Sequence, residues 1–179
     1  MRALVTGGAG FIGSALANQL LKQGHEVIIL DDLSGGRPIT SASVPVLVKD
    51  IVEIRRFEPQ SKIDWVFHFA AHFANTKSLA DPMENVRVNM LGTMAVLDFC
   101  VRNDIKRLMY ASSSGVYGAK EGVAYAEDMP PKPITPYEVT KYSAEIYAMD
   151  TATCTGFRFW LLASLMCMVQ EICRALFVV

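Results

Sequence analysis

The sequence predicts an α/β fold with a doubly wound parallel sheet. Apolar runs typical of strands alternate with helical patterns along most of the 179 residues, which indicates successive βαβ units. A glycine-rich turn separates the first strand from the first helix, and the second strand ends in an acid. The apolar content of 51% is high, and it is consistent with strands that are buried on both faces of a parallel sheet.

The elements follow one another in a regular order. Five short apolar runs predict strands, which are Ala3–Thr6, Val27–Leu30, Val44–Val48, Trp65–Phe69 and Arg107–Ala111. Four segments with apolar residues at helical spacing predict helices, which are Ser14–Gln23, Ile51–Phe57, Pro82–Val101 and Tyr137–Thr153. Two segments rich in glycine, serine or proline predict loops, at Ser34–Pro38 and Pro130–Pro136. This order predicts one domain over residues 1–159.

The first strand runs directly into TGGAGFIG at positions 6–13. Glycines at positions 7, 10 and 13 allow a tight turn, close approach of the backbone to a pyrophosphate and close packing of helix on strand. The free N–H groups of the helix N-terminus can then bind phosphate. The motif alone is also compatible with an ordinary glycine turn, but its position between strand and helix favours a Rossmann-type dinucleotide site.

Asp31 ends the second strand about 20 residues after the glycines, where a carboxylate can bind the ribose hydroxyls of a dinucleotide. A negative charge at this position repels a 2′-phosphate. The sequence therefore predicts NAD as the cofactor in preference to NADP.

Tyr137 and Lys141 are four residues apart on a predicted helix, so they share one face. A phenol with a pKa of about 10 is a weak base near neutral pH. A neighbouring ammonium group and a positive nicotinamide ring would favour the phenolate, which could accept a proton from a substrate hydroxyl. The pair alone is equally compatible with a solvated helix face. Ser113 follows the fifth strand, at the edge where doubly wound sheets place their sites.

Five segments occur in a characteristic order: TGGAGFIGS, the pair DD after the second strand, HFAA at 68–71, SSSGVYG at 112–118 and PYEVTK at 136–141. Together they resemble the extended short-chain dehydrogenase/reductases of the NAD-dependent epimerase/dehydratase family, similar to UDP-glucose 4-epimerases, over residues 1 to about 159. The resemblance implies NAD as cofactor, a nucleotide sugar (a UDP-sugar above all) as substrate, and a homodimer for the full-length form.

The resemblance also implies roles for individual residues. Ser113 would hold the substrate oxygen, Tyr137 would transfer the proton and Lys141 would bind the nicotinamide ribose. Asp50 would contact the adenine, and Asn89 would brace the site from within the long helix. The residues implied to contact the cofactor are Gly7, Gly10, Phe11, Ile12, Gly13, Asp31, Asp50, Ile51, Ala70, Ala71, Asn89, Tyr137 and Lys141. One departure is Phe73, which stands where some 4-epimerases carry a lysine near the cofactor.

The serine run bears on the type of reaction. Related dehydratases carry Asp-Glu in this segment, and related decarboxylases carry a glutamate two residues before the tyrosine of VYG. Here the segment is Ser113-Ser114-Gly115-Val116-Tyr117, without a carboxylate. This favours either simple oxidoreduction or epimerisation, which needs only hydride removal, rotation of the keto sugar and hydride return. A related nucleotide-sugar dehydratase or reductase, and an inactive NAD-binding fragment, remain alternatives.

Composition argues against several other kinds of protein and binding site. The formal net charge of −1 gives no basic field for nucleic acid or an anionic membrane. The four cysteines have no CxxC spacing, so neither a metal site nor a disulfide framework is expected. The chain opens on a strand with no secretory signal, which predicts a cytoplasmic protein that is not bound to a membrane.

The regular pattern ends after Phe159, and residues 160–179 form an aberrant apolar tail. Met166 to Val169, read in the frame one base earlier, encode Val, then Tyr or His, then Gly, which is compatible with the NVYGP segment that family members carry there. We therefore expect a one-base loss near codon 160, with the sheet interrupted near strand six, the substrate domain missing and this chain inactive. The alternative is a genuine apolar helix, but its uncharged stretch is shorter than the ~20 residues that span a bilayer. The product of restoring that base is called the frame-restored form below.

Overall fold

Six parallel strands form a single sheet in the computed structural model, which describes residues 1–35, 44–118, 125–126, 128–156 and 158–162. The strands are β1 (Arg2–Thr6), β2 (Glu26–Asp31), β3 (Val46–Val48), β4 (Trp65–His68), β5 (Arg107–Ala111) and β6 (Arg158–Leu162). Their order in the sheet is β3-β2-β1-β4-β5-β6, and every neighbouring pair is parallel. This confirms the predicted doubly wound fold.

The helices lie between the strands in sequence. They are α1 (Phe11–Lys22), α2 (Asn75–Ala80), α3 (Pro82–Val86), α4 (Gly92–Arg102) and α5 (Pro136–Thr155). The segments Ile51–Arg56 and Ser114–Tyr117 form 3-10 helices. The helix predicted over Pro82–Val101 is divided, because residues Arg87–Leu91 form a π-helical turn between α3 and α4. The predicted helix at Ile51–Phe57 is a 3-10 helix, and α2 was not predicted.

Alternate residues of the strands enter two separate cores, one on each face of the sheet. Leu4, Val66 and Leu108 pack with the 3-10 helix at Ile51–Arg56 and with α4. Val5 and Phe67, their neighbours along the chain, pack with α1 on the other face. Burial on both faces explains why the strands read as continuous apolar runs rather than as alternating patterns.

The direction of winding reverses beside β1. The chain proceeds from β1 outwards to β2 and β3, and then returns to place β4 against the other side of β1. The loops that leave the carboxyl ends of β1 and β4 therefore diverge, which opens the crevice where doubly wound sheets bind ligands. The glycine-rich loop, HFAA and the serine run all lie at this edge.

Strand β6 includes residues 160–162, which were predicted to belong to the aberrant tail, so the sheet extends three residues beyond the predicted domain boundary. The predictions for the rest of the tail, for Cys167 and Cys173, and for the loop at positions 36–38 fall outside the described residues. Within the described part of the chain, no helix is long and apolar enough to cross a membrane.

Candidate cofactor and proton-transfer site

The glycine-rich loop turns directly from β1 into α1. Gly7 has φ +68°, and its N–H donates a hydrogen bond to the carbonyl oxygen of Leu30 at 2.9 Å. A Cβ atom at Gly7 would lie 2.5 Å from the backbone nitrogen of Ala70, and one at Gly13 would collide with the carbonyl oxygen of Gly7. The loop therefore accepts no side chain at either position, because its own backbone packs against itself and against the residues after β4.

The first turn of α1 faces the crevice without a side-chain cap. Gly10 is the N-cap residue and supplies no capping side chain. Phe11, Ile12 and Gly13 form the first turn, where N–H groups have no acceptor within the helix. These donors and the positive end of the helix dipole suit a phosphate.

The carboxylate of Asp31 is fixed at the carboxyl end of β2. Its Oδ2 accepts a hydrogen bond from the N–H of Ala9 at 2.9 Å, and its Oδ1 accepts one from the N–H of Leu33 at 2.8 Å. Each carboxylate oxygen can accept more than one hydrogen bond, so both can still bind ribose hydroxyls. Asp31 thus joins the glycine-rich loop to the end of β2 and keeps a negative charge beside it.

Asp50 and Ile51 begin the 3-10 helix after β3. Asp50 Oδ1 accepts a hydrogen bond from the N–H of Val52 at 3.0 Å, and its Oδ2 pairs with Nη1 of Arg87 at 2.7 Å. Arg87 also forms a two-bond contact with Glu84, so Asp50 is part of a charged cluster at the start of the π-helical turn. The Ile51 side chain is buried in the core, so only its backbone can face a ligand.

His68 ends β4 in a fully buried position, and it is neutral. Its Nδ1 lies 2.7 Å from the hydroxyl oxygen of Thr6, and its Nε2 lies 3.0 Å from that of Thr93. The Thr93 hydroxyl donates to the carbonyl oxygen of Asn89, so it must accept from Nε2–H, and Nδ1 must accept from Thr6. Burial lowers the pKa of His68 to about 3, with a smaller effect from the charge of Lys141. His68 therefore holds elements together and is a poor proton acceptor.

Asn89 connects three parts of the site. It lies in the π-helical turn, and its Oδ1 accepts a hydrogen bond from the N–H of His72, just after Ala70 and Ala71, at 2.8 Å. Its Nδ2 donates to the hydroxyl of Thr140 at 3.1 Å. Thr140 precedes Lys141 on α5 and is buried. The side chain of Asn89 thus ties the loop after β4 to the helix that carries the tyrosine and lysine.

Helix α5 begins immediately before Tyr137. The Thr135 hydroxyl accepts a hydrogen bond from the N–H of Glu138, and the Glu138 carboxylate accepts one from the N–H of Thr135, which forms a capping box. Pro136 occupies the first helical position, where its missing N–H costs nothing. The local sequence therefore fixes the start of the helix and places Tyr137 in its first turn.

The structure brings Ser113, Tyr137 and Lys141 to the same region. The Ser113 hydroxyl lies near Tyr137 and acts to lower the pKa of its phenol, and it accepts a hydrogen bond from the N–H of Gly115 at 3.1 Å. Tyr137 is 7% exposed and Lys141 is 2% exposed. Lys141 Nζ lies 4.4 Å from the centroid of the Tyr110 ring, an arrangement that favours a charged amine.

Burial dominates the electrostatics of Tyr137 and Lys141. Burial raises the pKa of Tyr137 to about 12, and the negative charge of Glu138 adds to this rise, whereas the hydrogen bond from Ser113 opposes it. Burial also lowers the pKa of Lys141 to about 7. In the protein without cofactor, desolvation of both groups therefore has a larger effect on their pKa values than the charge of Lys141. The expectation that Lys141 and the nicotinamide ring together favour the phenolate stays a prediction.

Two further contacts at the site, made by Phe73 and Glu145, were not predicted from the sequence. The Phe73 ring meets the Tyr137 ring edge to face, with centroids 5.7 Å apart, and is 57% exposed. Glu145 lies one turn beyond Lys141 on α5 and accepts a hydrogen bond from Ser112. Spacing could have shown Glu145, because it continues the Tyr137–Lys141 face by four residues. The contact of Phe73 depends on the loop after β4 and has no local signal.

Comparisons with known proteins agree with this geometry. The family model described as NAD dependent epimerase/dehydratase family matches residues 3–163. The chain is 35% identical to UDP-glucose 4-epimerase of Azospirillum brasilense, covering 88% of this chain and 46% of that protein. It is 37% identical to UDP-glucose 4-epimerase of Neisseria meningitidis serogroup B, covering 83% and 48% respectively.

Solved structures give the same result. UDP-glucose 4-epimerase of Thermus thermophilus in complex with NAD superposes with a TM-score of 0.83 at 34% identity, covering 91% of this chain and 54% of that one. The Thermotoga maritima enzyme with UDP-glucose gives a TM-score of 0.86 at 31% identity, covering 91% and 55%. The chain thus spans about half the length of the relatives that it matches.

Proposed function

Because the chain belongs to the NAD-dependent epimerase/dehydratase family, we propose that it is the cofactor-binding and proton-transfer half of a nucleotide-sugar epimerase. The observation that supports this most strongly is that Ser113 and the buried side chains of Tyr137 and Lys141 meet at the carboxyl edge of the sheet. We further propose a UDP-sugar as the substrate, since the similar Thermotoga maritima structure was solved with UDP-glucose.

The residues at the sheet edge fit NAD. Side chains are excluded at Gly7 and Gly13, so the backbone can approach a pyrophosphate, and the uncapped first turn of α1 offers N–H donors. Asp31 would bind the adenosine ribose, and Lys141 would bind the ribose next to the nicotinamide. When bound, NAD would supply the hydride acceptor and a positive ring charge that favours ionisation of a neighbouring phenol.

In the proposed reaction, Tyr137 accepts the proton of a sugar hydroxyl and later returns it. Ser113 would hold the same sugar oxygen, since its hydroxyl lies near Tyr137 and acts on the pKa of the phenol. The raised pKa of Tyr137, about 12, keeps it protonated until positive charge is brought close, so proton transfer would depend on cofactor binding. Burial of Tyr137 and Lys141 limits the access of water to these groups.

The absence of a carboxylate in the serine run favours epimerisation over elimination of water.

The proposal is tested by incubating the frame-restored form, and the chain itself, with NAD and UDP-glucose and identifying the products by NMR. We expect UDP-galactose from the frame-restored form. A dehydrated keto sugar would indicate a dehydratase, a net redox product would indicate a reductase, and NAD binding without turnover in both would indicate an inactive fragment.

The Asp31→Ala variant is expected to lose most of the preference for NAD over NADP, because it removes both the ribose acceptor and the charge that repels a 2′-phosphate. We expect NAD affinity to fall about tenfold or more, the loss of one to two charge-assisted hydrogen bonds. Titrations of both cofactors measure this. The matched control is Asp32→Ala, since the exposed Asp32 carboxylate bonds only to Ser34 among the hydrogen bonds of the described residues. An unchanged preference in Asp31→Ala would rule out this role.

A further inference from the structure

The amine of Lys141 is one of the most buried charged groups of the described chain, and its charged form needs compensation. At 2% exposure the ammonium is largely cut off from water, and desolvation lowers its pKa to about 7. Near neutral pH a substantial part of the protein would therefore carry an uncharged lysine. The proposed reaction needs a positively charged Lys141. The groups around Lys141 therefore determine what fraction of the protein can carry out the reaction.

Several titratable groups face Lys141. Tyr110 on β5 contributes its ring face, and burial raises the pKa of its hydroxyl, so it is neutral. His68 on β4 is neutral, because burial lowers its pKa to about 3. Tyr137, one turn earlier on α5, is also a neutral phenol. Among the described residues, the group whose negative charge acts on Lys141 is Glu145.

Glu145 is held in place from the sheet. It lies four residues after Lys141 on α5, so the two side chains share a helix face. The hydroxyl of Ser112, which follows β5, donates a hydrogen bond to Glu145 Oε2 at 2.9 Å. Ser112 immediately precedes Ser113, so two successive residues after β5 act on α5: Ser113 affects the pKa of Tyr137, and Ser112 donates a hydrogen bond to Glu145.

We propose that Glu145 is a positioning residue, whose carboxylate, oriented by Ser112, keeps the buried amine of Lys141 positively charged. The importance of Glu145 for the reaction rests on the proposed function, but its effect on the charge of Lys141 can be tested without turnover. Neither the glycine motif nor the Tyr137–Lys141 spacing assigns this role. The proposed role of Glu145 predicts that removing the charge of its carboxylate changes the protonation of Lys141 while the fold is retained.

The variant Glu145→Gln removes the charge but keeps an oxygen acceptor for Ser112. The titration of Lys141 is followed in the full chain by NMR of ¹³Cε-labelled lysine, with the signal identified by its loss in Lys141→Met. We expect the midpoint to move to lower pH by roughly one pH unit in Glu145→Gln. The pH above which NAD affinity falls is expected to move with it. The control is Asp150→Asn, which removes a carboxylate from the exposed end of the same helix and should leave the midpoint unchanged.

Two further variants keep the test decisive if Glu145→Gln does not fold. Glu145→Asp should retain most of the charge on Lys141, and Ser112→Ala should move the midpoint in the same direction as Glu145→Gln, but less. An unchanged midpoint in the folded variants, or an equal shift in Asp150→Asn, overturns the proposal. A shifted midpoint together with no epimerase turnover in the frame-restored form would support the effect of Glu145 on Lys141 and reject the proposed function instead.

Discussion

Tyr137→Phe should retain NAD binding and lose turnover by about a thousandfold. The change removes only a hydroxyl, and proton transfer by a positioned side chain contributes on the order of 10² to 10⁴ in rate. The ring of Tyr137 is buried and packs against Phe73, and a phenylalanine preserves both features. The loss should therefore appear in kcat rather than in cofactor affinity or thermal stability.

The measurement compares turnover of UDP-glucose, NAD affinity and melting temperature in the frame-restored form. Tyr147→Phe is the matched control, since it makes the same change on an exposed face of α5 and should behave like the unmodified protein. Turnover within a few-fold of the unmodified protein in Tyr137→Phe would contradict its role as proton-transfer group. A parallel loss of NAD binding would indicate a structural effect instead.

Gly13→Ala should abolish NAD binding and destabilise the domain by roughly 2–4 kcal/mol. The added Cβ would collide with the carbonyl oxygen of Gly7 and lie 2.8 Å from the Cα of Gly8. Both atoms belong to backbone, so no side chain can rotate to relieve the contact. Helix α1 must move away from the loop, and its N–H donors would leave the phosphate position.

Gly35→Ala is the matched control, because a Cβ there would have no neighbour within 4 Å. Urea unfolding and NAD titration of both variants separate the two effects. If the loop is a closely packed phosphate-binding site, Gly35→Ala should have unchanged stability and NAD affinity, and Gly13→Ala should lose both. If Gly13→Ala bound NAD with unchanged affinity, the backbone contact would not matter for the cofactor.

Local patterns predict the fold well where one signal dominates. The range of β5, Arg107–Ala111, agrees with the prediction residue for residue, because a buried apolar run is bounded there by polar residues. Helix α2 could not be predicted, since Asn75–Ala80 has no apolar periodicity and buries only Ser78. The π-helical turn at Arg87–Leu91 could not be predicted either, because the apolar spacing of the helix continues through it. Its hydrogen bonds to other elements, such as that of Asn89 to Thr140, form only in the folded protein.

The positions of the site residues were more predictable than their protonation. Sequence order places Ser113, Tyr137 and Lys141 at one sheet edge, and in the structure Ser113 lies near enough to Tyr137 to affect the pKa of its phenol. Their pKa values depend on how deeply the groups are buried, which spacing along a helix does not show. The contributions of Glu145 and Phe73 also arise from elements that meet only after folding.

The carboxylate of Asp31 has a consequence for the evolution of cofactor use. The same side chain that would select the nucleotide also accepts hydrogen bonds from Ala9 and Leu33, and so holds the turn next to it. A substitution of Asp31 would therefore remove the negative charge and also destabilise the turn that its carboxylate holds. A lineage moving towards a phosphorylated nucleotide would need a compensating change in residues 8–10 or 32–34, so the present preference should resist drift by single mutations.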